Sequence, residues 1–284
     1  IGGSTSLSVV GGSLGYLAGW EWYTSSCGGT AAGSGTSITV SPTVTTTYYV
    51  RAVGACNTTA CRSFTVNVNP LPNGNISGTT TVCTGSATPI TFNLTTGAGP
   101  FNIIYTDGTN VYTRNGVNNG DTAMVAPAST ATYQLTQITD ANGCVRTSGF
   151  LGGATVTVAP LPAINSTSST AVLCFGGNTG TITVNATSGT PGYTYSKDGG
   201  LTYQPSNLFS GLAAGPYTIS IRDAQGCVSV STVVTVTQPT LLDHATTTVD
   251  ASCANVFDGS ITVSATGGVT PYTYSLNGGP SQPG

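Results

Sequence analysis

Of 284 residues, only 5% are Asp, Glu, Lys or Arg, against the roughly 25% of an ordinary soluble domain. One Glu (Glu21), one Lys (Lys197) and one His (His244) leave almost no material for acid–base or nucleophilic catalysis, and a lone imidazole cannot build a metal centre. A net charge of −3 without a basic stripe argues against nucleic acid as a partner, and no apolar run reaches the 18 or so residues of a membrane span. No catalytic residue, metal or cofactor is therefore expected.

Val, Ile, Tyr and Phe alternate with Thr and Ser along the whole chain, as in "TYYVRAV" and "YTISIRD". Period two marks half-buried strands, and no stretch shows a helical stripe, so the chain reads as all-β. Residues 1–69 form the first unit. Ile1 opens it directly in a strand-like segment, so the chain reads as a mature or internal piece. In "GWEWY", Trp20, Trp22 and Tyr23 lie on one strand; one face is core, and an exposed Trp20 or Trp22 is a candidate for stacking on a sugar. "TTYYVRAVGAC" then runs to Cys56, and "FTVNVNPLP" ends the unit.

The second unit, 70–160, opens at Cys83 in "VCTGSATPITFNL", closes at Cys144 in "TYQLTQITDANGC", and ends in "ATVTVAPLP". Its "DTA" makes Thr122 a candidate for O-glycosylation. The third unit, 161–239, opens at Cys174, carries Tyr203 as another possible stacking residue, closes at Cys227 in "PYTISIRDAQGC", and ends in "VVTVTQPT". The fourth, 240–284, repeats the third at a constant offset of 79 residues: Cys174 to Cys253, Ile182 to Ile261, Tyr193 to Tyr272, Gly200 to Gly279. Prolines punctuate each junction and stiffen it. Units of this size with short strands between turn signals predict a tandem array of small immunoglobulin-like β-sandwiches.

Small sandwiches need staples. Pairing each opening cysteine with its closing one predicts Cys83–Cys144 and Cys174–Cys227, each worth about 4 kcal/mol in the chain-entropy model, and an oxidising location. Aligning "CTGSATPI" with "IGGSTSL" places a further cysteine just before Ile1 in the intact protein, as partner to Cys56. This leaves Cys27 to pair with Cys61. The partner of Cys253 falls near position 306, beyond Gly284. The segments "DANGCV" and "DAQGCV" read as type I turns leading into a disulfide cysteine, with Asp at the first position and Gly at the fourth. One Asp per turn is too few ligands for calcium.

The third unit, with "GTITV", "GYTYS", "GLAAGPYTISIRDAQGC" and "TVTQP", resembles the SprB repeat of large surface adhesins in Bacteroidetes, as does the available part of the fourth. The first unit, with "WEWYTSSCGGT" and "CNTTAC", is similar to the immunoglobulin-like modules that accompany such repeats, and the second is similar to the same group. The resemblance implies a long, repetitive protein exported by the type IX system to the outer cell surface, and in gliding members an adhesin moved along the cell body. Implied partners are an external surface or polysaccharide, further repeats of the same chain, and other copies through self-association. A carbohydrate-binding array and an accessory region of a secreted hydrolase are the alternatives. The incomplete fourth sandwich is expected to be covered by following residues of the same chain.

Overall fold

The computed structural model describes residues 3–283, and every regular element among them is a β-strand. Strands β1 (Thr5–Ser8), β2 (Gly19–Thr24), β3 (Thr30–Ser34), β4 (Ser37–Val40), β5 (Thr46–Val53) and β6 (Arg62–Val66) make two sheets, β1-β4 and β3-β2-β5-β6. Alternation sends Leu7, Trp22, Val40 and Tyr48 inward, and Ile38, Val50 and Val66 pack against them. Trp22 is core, and its Nε1 donates to the carbonyl of Gly35 at 2.9 Å.

A second pair of sheets follows Pro70 and Pro72. It is built from β7 (Asn73–Ser77), β8 (Thr80–Cys83), β9 (Thr88–Thr96), β10 (Phe101–Thr106), β11 (Val111–Val117), β12 (Thr122–Val125), β13 (Ala131–Thr139), β14 (Val145–Arg146) and β15 (Ala154–Ala159). Their orders are β12-β9-β7 and β11-β10-β13-β15-β8, with β14 on β13. Ile90 and Phe92 from one sheet, and Ile103 and Ile138 from the other, are wholly buried; the Phe92 and Tyr105 rings meet at 5.3 Å.

After Pro162, β16 (Ala163–Thr170), β17 (Gly180–Thr187), β18 (Thr194–Ser196), β19 (Leu208–Leu212), β20 (Gly215–Arg222) and β21 (Thr232–Val236) form the sheets β16-β17-β19 and β18-β20-β21. Ile182, Val184, Leu212, Ile219, Ile221 and Val236 fill the space between them. The last strands, β22 (Asp243–Val249), β23 (Ser260–Thr266), β24 (Thr273–Tyr274) and β25 (Gln282–Pro283), pair as β22-β23 and β24-β25. β22 and β23 repeat β16 and β17, but Ile261 is 59% exposed where its equivalent Ile182 is fully buried. No strands equivalent to β19–β21 cover them among the described residues.

By internal contacts the described residues divide into two compact units. One runs to Thr80 and includes Ala87–Thr157; the other comprises Thr81–Ser86 and the chain from Val158 onward. The disulfides explain the short excursion. Cys27 is bonded to Cys61, and Cys83 is bonded to Cys227, with Cα atoms 5.8 and 5.6 Å apart. Cys83 therefore anchors Thr81–Ser86 within the second unit.

This corrects the expected Cys83–Cys144 and Cys174–Cys227 pairs. Cys144 and Cys174 are free thiols, as are Cys56 and Cys253. The reason is strand direction. The residue after Cys83 is hydrogen-bonded to Ala159, on the strand whose Val156 faces Ala131 at the start of β13. Cys144 follows the other end of that strand, which has nine residues, so about 30 Å of sheet separates the two cysteines. β20 likewise separates Cys174 from Cys227: its Gly215 lies opposite Val236, next to the Cys174 loop, while Cys227 follows Arg222. A disulfide needs Cα atoms within about 7 Å.

Ile182→Ala should cost the third sandwich about 2–5 kcal/mol, whereas Ile261→Ala at the equivalent exposed position should cost less than about 0.5 kcal/mol. Calorimetric unfolding of the two variants checks this contrast.

Candidate functional site: the cysteine-bearing turns

Each D-x-x-G-C segment follows the long central strand of its sandwich, and the two are built alike. Asp140 and Asp223 are each only 5% exposed. Oδ1 of Asp140 accepts the N–H groups of Asn142 (3.0 Å) and Cys144 (2.8 Å), and Oδ2 accepts that of Ala98 (3.2 Å). Oδ1 of Asp223 accepts Gln225 (3.0 Å) and Cys227 (2.8 Å), and Oδ2 accepts Thr190 (2.9 Å). The backbone closes the same turn in both: Gly143 donates to Asp140 and Gly226 to Asp223, each at 3.0 Å. Gly143 and Gly226 have φ of 78° and 84°, a left-handed geometry that glycine adopts without a Cβ penalty. Three charge-assisted hydrogen bonds allow each carboxylate to be buried. The effect is to fix the backbone of the following cysteine.

The opening cysteines share a second arrangement. Ser86 donates to the carbonyl of Cys83, Gly177 to that of Cys174 and Val256 to that of Cys253, at 2.9, 3.0 and 3.2 Å. These turns lie at the trailing end of their sandwiches. Thr84 bonds Ala159 at the end of β15, and Gly176 bonds the side chain of Gln238 just beyond β21. The closing turns lie at the leading end: a Cβ at Gly97 would touch both Pro72 and the carboxylate of Asp140, and one at Gly189 would touch Pro162 and that of Asp223.

The remaining candidates are dispersed. Trp20 is half-buried on β2, and Trp22 has no free face. Tyr203 is half-buried with the Arg222 guanidinium 4.2 Å from its ring centre, so one face is already covered. Thr122 is exposed on the edge strand β12, and only its carbonyl is engaged, by Arg114. His244 is exposed on β22.

Two polar turns escaped the sequence reading, although "TDGTN" and "SKDGG" carry the Asp–Gly signature that finds them. Asp107 accepts the N–H groups of Thr109 and Asn110 and the Tyr112 hydroxyl (2.7 Å). These bonds, the one from the Asn110 backbone foremost, hold its carboxyl well below the usual carboxylate range, and the same carboxylate pushes the Tyr112 phenol up to about 12. Tyr112 stacks on Tyr105 with centroids 5.0 Å apart. In the third sandwich the buried Ser196 hydroxyl donates to Asp198 at 2.6 Å, and Thr202 donates to the same carboxylate. Those bonds, Ser196 first, also lower the Asp198 carboxyl. On β2, the Tyr23 hydroxyl donates to Glu21 and accepts from Arg51.

Sandwiches of this size, repeated along one chain with cysteines at their ends, define a class of tandem, disulfide-bearing immunoglobulin-like repeat proteins. Within it, residues 166–202 and 245–281 match the SprB repeat, and residues 1–70 match the CHU_C-associated Ig-like domain, so the chain carries SprB-like repeats beside an immunoglobulin-like domain. These are families of surface repeats and immunoglobulin-like domains rather than of enzymes, and they point to a secreted, repetitive cell-surface protein. No curated protein matches the chain significantly.

Among solved structures, the fibronectin(III)-like modules of Clostridium thermocellum CbhA are 16% identical, with 57% of this chain and 91% of theirs covered and a TM-score of 0.31. Three N-terminal domains of the bacteriophage RB49 outer capsid protein Hoc are 10% identical, over 84% of this chain and 94% of theirs, with a TM-score of 0.40. The 282-residue C-terminal fragment of intimin is 11% identical, over 70% of this chain and 60% of that one, with a TM-score of 0.30.

Asp223→Ala leaves three backbone N–H groups without their acceptor and should destabilise the third sandwich by about 2–4 kcal/mol; denaturant unfolding measures the loss. Asp198 sets a pH expectation. Because its folded-state value is depressed, its contribution to stability is complete above about pH 4, the unfolded value, and is lost progressively as pH falls from there to the lower folded value, where the native carboxylate itself takes up its proton. The amide resonances of Gly200 and Thr202 should therefore hold their neutral-pH positions through pH 4 and shift only in stronger acid, and Asp198→Asn should abolish that acid transition.

Proposed function

We propose that this chain is a non-enzymatic stalk-and-adhesion segment of the bacterial outer surface, serving to space and present contacts to an external surface or polysaccharide. The observation that carries the reading is the recurrence of one device, a buried-aspartate turn that fixes a cysteine, at 140–144 and again at 223–227. Its polar groups are spent on holding backbone and cysteines in place, which is what a load-bearing repeat requires. The low surface charge suits repeats that lie close together with little mutual repulsion. Export by the type IX route and service in gliding follow from the SprB resemblance and belong to the same proposal. Exposed Thr122 is the position on this surface proposed for O-glycosylation. Adhesion through a flat aromatic platform finds less support, since Trp22 is core and Tyr203 lies under Arg222.

Antibodies raised against residues 1–284 should label intact cells of the producing bacterium. Deleting the segment from the parent gene should reduce attachment or gliding on glass and agar several-fold while growth is unchanged. Labelling confined to lysed cells, or full attachment without the segment, would refute the proposal.

A further inference from the structure

The Cys83–Cys227 bond joins the opening cysteine of one sandwich to the closing cysteine of the next. The position of each turn explains why. Opening cysteines sit in trailing-end turns that bond Ala159 and Gln238; closing cysteines follow aspartates that share the surroundings of Gly97 and Gly189 with Pro72 and Pro162 at the leading ends. Ala159 and Pro162 are separated in the chain by Pro160 and Leu161 alone. A trailing-end thiol and the next leading-end thiol are thereby delivered to the same junction.

The free thiols occupy the same places. Cys174 has the turn and the trailing-end anchorage of Cys83. Cys144 has the aspartate turn of Cys227, bond for bond. Cys144 also lines a cleft of about 610 Å³ with Gly3, Ser4 and Thr5, beside Val68 and Pro70. Thr5 starts β1 as Thr88 starts β9, and Leu7 and Ile90 are both buried two residues later. That register puts the equivalent of Cys83 one residue before Ile1, next to the segment that already borders Cys144.

We propose that the cysteines of this protein form a ladder in which each opening cysteine is bonded to the closing cysteine of the following repeat. Cys83–Cys227 is one rung. Cys144 takes a cysteine from the segment that leads into β1, and Cys174 takes the closing-turn cysteine of the repeat that Cys253 opens. This moves the partner of the cysteine before Ile1 from Cys56 to Cys144. Each rung forms from two thiols; the two protons and two electrons pass to an external disulfide oxidant, which leaves as two thiols. The inference rests on the array reading only in requiring neighbouring repeats, and is independent of what the array adheres to.

Two experiments test it. In residues 1–284, a protease site placed between Ala159 and Ala163 should, after cleavage, leave the two fragments joined on a denaturing gel without reductant and separate with it. Peptide mapping should recover Cys83–Cys227, with Cys144 and Cys174 alkylated. Fragments that separate without reductant, or peptides linking Cys83 to Cys144 and Cys174 to Cys227, overturn the ladder. In the parent chain, carrying its own residues before Ile1 and through the next complete repeat, mapping should find both Cys144 and Cys174 in cystine with the two cysteines named above. Alkylation of either, or a different residue where those cysteines should stand, overturns the extension to other rungs. Neither result bears on surface labelling or attachment, so failure of the ladder and failure of the adhesive reading are separable.

Discussion

A carboxylate buried among three backbone N–H groups is the interaction on which the arrangement of these sandwiches turns. Asp140 and Asp223 have little solvent and face amides instead, so each turn is held by charge-assisted hydrogen bonds that an exposed loop would exchange with water. The second oxygen of each carboxylate reaches a different loop, at Ala98 or Thr190, and so ties the closing turn to the leading end of its sandwich. An asparagine has one acceptor oxygen and an NH₂ group that would meet the third N–H donor to donor. The position of the cysteine therefore depends on the acid itself, and the site of the staple follows from the position of the cysteine.

The same economy of charge governs the solvated faces. Directly opposed threonines join their hydroxyls across neighbouring strands: Thr47 with Thr65 at 2.9 Å, Thr132 with Thr155 at 3.0 Å, and Thr170 with Thr181 at 2.8 Å. Such pairs add cross-strand stabilisation without ion pairs, and β-branched threonine fits the pleat. A chain with 5% charged residues keeps its sheets in register this way. The inward faces carry the apolar residues, and the outward faces carry hydroxyls that satisfy one another.

Much of this was legible in the sequence. The period-two alternation gave the strands, the offset from Cys174 to Cys253 gave the repeat, and Asp–x–x–Gly gave the closing turn, down to the Gly143 and Gly226 hydrogen bonds. The Cys27–Cys61 pair was legible too, but the partners of Cys83 and Cys227 were not, for a physical reason. Spacing reports the length of a loop, whereas a disulfide depends on which end of a sandwich each cysteine occupies, and that is set by strand direction through space. Cys83 and Cys144 are separated by the full length of β13, a quantity that pairing by order does not contain. The Asp107 and Asp198 networks sit on Asp–Gly segments that lack a cysteine; the dipeptide signals local backbone capping, but the Tyr112 and Ser196 partners come from residues that the turn signature does not specify.

The bond between Cys83 and Cys227 closes a loop with a sequence separation of 144 residues, and in the chain-entropy picture it constrains the unfolded chain by about 5 kcal/mol, more than a staple within one sandwich. Its mechanical meaning differs as well. A staple within a sandwich protects that sandwich and leaves the junction to a single peptide strand. A bond from a trailing-end turn to the next closing turn gives the junction a second covalent connection beside Ala159–Pro162, where two prolines already restrict φ. A pull applied across the junction would be carried by the disulfide, and from Cys227 by a turn that Asp223 ties to the loop at Thr190, before it reached the hydrogen bonds of the sheets. In a chain of repeats joined end to end, the junction is the place that a deeper core does not reach, and the buried aspartates bring the cysteines to the end where it can be secured.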